Sequence, residues 1–126
     1  MLAYKIVEVS TDNSFKFLFH DRKRSFTYRD VLVAEKKMGY EGYNKDGSKK
    51  LYLTGIHVVS TLDLCRKYLT YFKRKDNKKI LVCNASGCVK KPNGREGVML
   101  ADQVEILCDA NNCVSYPGTG VMFNLC

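Results

Sequence analysis

The chain has 126 residues, 45% of them hydrophobic and 27% charged, with two prolines; this fits one globular domain over 1–126 and excludes a disordered or collagen-like chain. Its net charge of +8 favours acidic partners such as nucleic acid, nucleotide phosphates or an anionic protein surface, although a charge of this size also serves solubility. No apolar run approaches the roughly 20 residues that cross a bilayer, and Lys5 and Glu8 interrupt what would be the apolar region of a secretory signal, so no membrane and a cytoplasmic location are expected.

Residues 3–9 set Ala3, Lys5 and Val7 against Tyr4, Ile6 and Glu8, and 15–20 is the run FKFLFH. The turn cluster 11–14 between them predicts a hairpin. Arg22, Lys23 and Arg24 form a basic corner. Residues 29–38 fit either a helix with Val31, Ala34 and Met38 on one face or a strand continuing from 25–28; valine and tyrosine favour strand in the first half. Residues 39–50 are polar and turn-rich, with Asp46-Gly47 as a favoured turn pair.

The segment 51–72 changes hydrophobic period. Leu51, Leu53, Ile56 and Val58 belong to an extended run, whereas Leu62, Cys65, Leu69 and Phe72, with Leu64 and Tyr68 beside them, follow helical spacing. Ser60 and Asp63 make a capping-box-like start. The cationic run 73–79 closes the helix, 80–83 reads as a buried strand, and 87–97 as a glycine-rich basic loop. At least one more strand falls in 98–107, and Tyr116-Pro117-Gly118 turns the chain into the apolar tail 121–125. The expectation is an α+β domain with a mainly antiparallel sheet of six or seven strands and one principal helix covering one face. The other face lacks an obvious cover, so homo-oligomerisation through a sheet face or an edge strand is expected, since exposed edges and apolar faces are usually covered.

The six cysteines are expected to be reduced in the absence of a secretory signal. Cys65 sits on the apolar helix face. Cys83/Cys88 and Cys108/Cys113 are C-x4-C pairs, at the loose edge of four-cysteine zinc spacing, whose usual knuckle is C-x2-C; unligated cysteines are the favoured reading.

No P-loop, dinucleotide fingerprint, H-E-x-x-H or nucleophile elbow is present. The two histidines are His20 and His57. A Cys65–His57 nucleophile and base is formally possible, but Cys65 faces the core. The chain is therefore read as a non-enzyme without cofactor or metal. What it does carry is cations interleaved with aromatics. The candidate ligand-binding residues are Arg24, His57, Arg66, Lys90, Lys91, Asn93 and Arg95. Arg24, Arg66, Lys91 and Arg95 would contact phosphates, and His57 and Asn93 a base or ribose. Solvated basic faces over core aromatics are the alternative.

The segments FKFLFHDRKRS, TGIHVVSTLDLCRKYL and VKKPNGREGVMLADQVEIL together resemble small proteins of tailed phages and prophages, over residues 4–107. Phage proteins of this size include the anti-Thoeris signal sponges, which bind cyclic ADP-ribose isomers and, in some members, cyclic oligonucleotides. The chain is similar to them in expected architecture and context, not in matched ligand residues. The resemblance implies a cytoplasmic protein of an infected or lysogenic bacterial host, assembled from dimers. It would sequester a small cyclic nucleotide or ADP-ribose-type immune signal. The alternative is a basic phage factor that binds nucleic acid or inhibits an acidic host protein, with a steep loss of affinity in salt.

Overall fold

The computed structural model describes residues 1–18, 24–35, 38–92, 94–111, 113–115 and 122–124, and for 39–42, 49–53, 113–115 and 122–124 the backbone alone. In chain order the elements are β1 (Leu2–Val9), β2 (Phe15–Lys16), β3 (Ser25–Phe26), β4 (Val31–Val33), β5 (Met38–Tyr43), β6 (Lys49–Leu53), β7 (Ile56–Val59), α1 (Leu62–Leu69), β8 (Lys78–Ser86), β9 (Val89–Lys90), β10 (Val98–Ala101), β11 (Gln103–Asp109), β12 (Cys113–Ser115) and β13 (Met122–Asn124). The fold is α+β: a nine-stranded antiparallel sheet, the helix α1, and two separate two-stranded ladders, β5–β6 and β12–β13.

The sheet follows the order β4-β11-β8-β1-β7-β10-β9, with β2 pairing to the end of β1 and β3 to β2. Only Asp102 separates β10 from β11, yet β10 pairs with β7 and β11 with β8, on opposite sides of β1. Laid flat, those two strands would stand roughly 19 Å apart at the usual inter-strand spacing, whereas two residue steps reach about 7 Å. The sheet must therefore curl until its two halves meet at this point. Asp102 N–H donates to the Ser86 carbonyl at 2.9 Å across the join. Gly55 packs tightly beside it, where an added Cβ would lie 3.0 Å from the Ala101 carbonyl oxygen.

Curling turns one face inward. Ala3, Val7, Ile56, Val58, Leu81, Cys83, Ala85, Ala101, Val104 and Ile106 line it, joined by Phe15, Phe26 and Leu32. On the outer face α1 packs over β1 and β7, and Cys65, Leu62, Leu64, Tyr68 and Leu69 meet Tyr4, Ile6, Val59 and Ile80. Both faces of the central strands are thus covered from within one chain. An uncovered face, one of the two grounds for expecting an oligomer, is not found among the described residues of these strands; the other ground, exposed edges, applies to β4 and β9, where Val33 and Val89 are exposed.

Several boundaries differ from expectation for local reasons. The helix is capped by Thr61, whose Oγ1 accepts from Leu64 N–H at 3.3 Å, while Ser60 N–H is spent on the Gly97 carbonyl. It ends at Leu69, and Tyr71 and Phe72 follow in a tight turn bonded to the Tyr68 and Leu69 carbonyls. Residues 31–33 form a strand where a helix was the alternative for 29–38. The polar stretch 39–50 is largely the β5–β6 hairpin, whose turn is closed by Asn44 N–H to the Ser48 carbonyl at 2.7 Å with Gly47 at φ 87°. Lys78 and Lys79, read as part of the charge run, already belong to β8.

Cys65, Cys83 and Cys88 are free thiols, but Cys108 is disulfide-bonded, which corrects the expectation of reduced cysteines at that position. A Cys83–Cys88–Cys108–Cys113 zinc site is incompatible with that bond, and no group of three or more metal-ligating side chains forms among the described residues. No helix among the described residues is long and apolar enough to cross a membrane.

Candidate functional site

The helix α1, the start of β8 and the end of β11 enclose a groove of about 320 Å³ lined by Arg66, Leu69, Lys78, Lys79, Ile80, Asp109, Ala110 and Asn111. Arg66 points out from the wet side of α1, on the opposite side of the helix from the face that carries Leu64 and Tyr68 to the core. Ala110 N–H donates to the Ile80 carbonyl at 2.9 Å, which fixes the floor where β8 and β11 end together. Asp109 is buried, forms an ion pair with Lys79 Nζ at 3.2 Å and accepts from Asn111 N–H at 2.9 Å. Lys78 Nζ donates to Asn77 Oδ1 at 3.1 Å and stands 5.4 Å from the Phe72 ring centre. The Arg66 guanidinium has no hydrogen-bond or ion-pair partner among the described residues. Arg66, Lys78 and Lys79 therefore line one concavity with one committed carboxylate; Lys78 and Lys79, successive on β8, leave it on opposite faces, and Lys78 stands opposite Glu8 of β1.

Arg95, grouped with Arg66 among the candidate phosphate contacts, lies on the other flank of α1. Arg95 places its guanidinium 4.7 Å from the Tyr71 ring centre and 5.7 Å from that of Tyr68. Tyr68 O–H donates to the Glu96 carbonyl, and Gly97, at φ 75°, fits against Leu64 and Ser60 where a Cβ would clash. Residues 66 and 68 are two apart and so about 200° apart around the helix. The loop can dock on Tyr68 only by turning away from Arg66.

The remaining expected residues scatter. Arg24 is exposed before β3, out on the β2–β3 extension of the sheet. Lys90 is exposed on the edge strand β9, opposite Met99. Lys91 is half-buried, its N–H donating to the Val98 carbonyl at 3.3 Å. His57 is half-buried in the middle of the sheet, opposite Leu100, on the helix-facing side by alternation with Ile56 and Val58. Asn93 and His20 lie outside the described residues. Of the six that the structure describes, only Arg66 lines the groove. Its partners Lys78, Lys79, Asp109 and Asn111 are absent from the sequence-based set because strand adjacency, not spacing along the chain, assembles them.

Lys5 is the other ionisable group with an unusual setting. It follows Ala3 and precedes Val7 on the inward face and is only 8% exposed. Its Nζ donates to the His57 carbonyl at 2.7 Å and lies 4.9 Å from the Phe17 ring centre. β1 and β7 share the single register pair Tyr4–Val59, so this ammonium serves a backbone acceptor near where the two strands part. Burial pushes its pKa down to about 8, partly offset by the neighbouring Cys83 and Cys65. Burial likewise pushes the Cys65 and Cys83 thiols up to about 12. These groups are enclosed and tune stability rather than meet ligands. Compared with protein-family models, curated proteins and solved structures, the chain matches none.

Proposed function

We propose that the chain is a non-catalytic binding protein for a small phosphorylated ligand of nucleotide type, held in the Arg66 groove. One observation carries this reading: Arg66, Lys78 and Lys79, from two elements separate in sequence, line the same concavity, with a guanidinium that has no partner among the described residues. Guanidinium forks and positioned ammonium groups are what phosphate oxygens require. The lining's single carboxylate, Asp109, is already bound by Lys79 and Asn111 and acts as an anchor, not a base. Through the phage resemblance, capture of a cyclic nucleotide or ADP-ribose-type signal is the biological setting proposed for such binding.

Isothermal titration with a panel of nucleotides and nucleotide sugars tests this. Binding is expected to survive chelators, and the ligand to be recovered chemically unchanged after heat-denaturing the complex. Arg66→Ala is expected to weaken binding about tenfold or more, the loss of one charge-assisted contact, without lowering Tm. A chemically altered ligand would refute the non-catalytic part. Equal binding by Arg66→Ala would refute the site.

A further inference from the structure

The far flank of α1 carries a second feature, independent of the Arg66 groove. Tyr71 follows the helix in a turn, its N–H donating to the Tyr68 carbonyl at 3.1 Å, yet it is 55% exposed. The Arg95 guanidinium stands 4.7 Å from its ring centre and the Tyr68 ring 6.2 Å from it. The loop that presents Arg95 is tied down on both sides. Val98 N–H donates to the Arg95 carbonyl at 3.1 Å, and Ser60 N–H, just before α1, to the Gly97 carbonyl at 2.9 Å. An exposed cation–π contact of this kind contributes about 0.5–1 kcal/mol, which helps to hold the long arginine side chain in place. Two flat groups, a phenol ring and a guanidinium, are thus fixed together at the surface. The charge around them is one-sided. Residues 66–75 hold Arg66, Lys67, Lys73, Arg74 and Lys75, all exposed, and no acidic residue. The helix C-terminus is already served by the cations of its last turn, Arg66 and Lys67, so the three that follow exceed what the macrodipole needs. Arg74 pairs with Asp76 at 3.4 Å, whereas Lys67, Lys73, Lys75 and Arg95 form no ion pair among the described residues.

We infer that Tyr71 and Arg95 form a stacking platform for the bases of single-stranded nucleic acid, whose phosphates run along Lys67, Lys73 and Lys75. Aromatic and guanidinium planes accept any base, and ammonium groups on flexible stems follow a phosphate backbone without reading its sequence. One stacked base contributes about 1–3 kcal/mol, too little to hold a mononucleotide, so the surface needs a strand with phosphates on both sides of the base. Bases inside a duplex are already stacked on one another. A duplex therefore meets the cations alone and leaves the platform unused.

The test is fluorescence anisotropy of the full chain with labelled oligothymidine, oligouridine and a DNA duplex, each of about 12 nucleotides or base pairs, at about 50 and 200 mM salt. It compares wild type, Tyr71→Ala, and the double variant Lys73→Gln with Lys75→Gln. At least one single strand is expected to bind about tenfold or more tightly than the duplex, and the tighter of the two identifies DNA or RNA as the partner. Tyr71→Ala is expected to weaken that strand about fivefold or more, the loss of one stacked base, with its salt dependence and the protein's Tm unchanged. The double lysine variant should instead flatten the salt dependence. Duplex binding as tight as single-strand binding, or no effect of Tyr71→Ala, overturns the platform, because bare charge then accounts for everything. No binding to any of the three probes overturns it as well. None of these outcomes bears on ligand binding in the Arg66 groove, which Tyr71→Ala leaves intact, so the two readings stand or fall separately.

Discussion

From pH 7 to pH 11, wild type is expected to gain about 3 kcal/mol of stability relative to Lys5→Met. The amine of Lys5 has its pKa lowered by burial to about 8, against 10.5 for the exposed group. Between those two values the unfolded chain holds a proton that the folded chain has released, so stability rises through this window by about 1.4 kcal/mol per pH unit. Cys65 and Cys83 act in the opposite sense. Their thiols stay protonated in the folded chain up to about pH 12, against 9.0 when exposed. Above about pH 9 the unfolded chain sheds two protons that the folded chain keeps, and stability falls. Wild type should therefore be most stable between about pH 8 and 9, and Lys5→Met should lose that maximum and decline earlier. Absolute stability is the poorer diagnostic, because methionine removes a desolvated charge but also leaves the His57 carbonyl without its donor. Urea unfolding of both proteins across this range gives the answer; parallel curves would show that Lys5 is not buried as described.

Leu81→Ala is expected to destabilise the fold by about 2–5 kcal/mol, the range for a buried leucine whose site cannot collapse. Leu81 is 0% exposed and belongs to the inward cluster of the curled sheet. Val33 in β4, 60% exposed, provides the control: Val33→Ala should stay within about 0.5 kcal/mol. Concentration dependence adds a separate constraint. An interior sealed by the chain's own strands loses the same amount at every protein concentration, whereas a face sealed by a second copy would show a Tm that rises with concentration. A concentration-dependent loss in Leu81→Ala would contradict the closure of the sheet through Asp102.

Much of this fold is legible in the sequence, and the limits are physical. The period switch in 51–72 marks β7 and α1, because a buried strand and an amphipathic helix each impose their own spacing on apolar residues. The alternation in 3–9 even places Lys5 on the same face as Ala3 and Val7, a signal for a buried lysine that charge alone would hide. The curl is not legible. It depends on 98–109 pairing with both β7 and β8, and no local pattern encodes which distant strands a segment will join. The two-residue strands β2, β3 and β9 are too short for any periodicity. The candidate site suffers from the same gap. Arg66 and Arg95, read as members of one candidate set, end on opposite flanks of α1, while Lys78 and Lys79, read as part of a helix-closing charge run, line the groove beside Arg66 because β8 runs beside β1 beneath the helix.

The most direct test of the groove is an NMR titration of isotopically labelled protein with AMP, following the Arg66 Nε–H signal and the backbone amides of Lys79, Ala110 and Asn111. The expected result is saturable shifts confined to these signals and to their neighbours on α1, β8 and β11, abolished in Arg66→Ala. Shifts that instead track Tyr71 and Arg95 on the far flank of the helix, or no saturable shift at all, would contradict the assignment of the Arg66 groove as the ligand site.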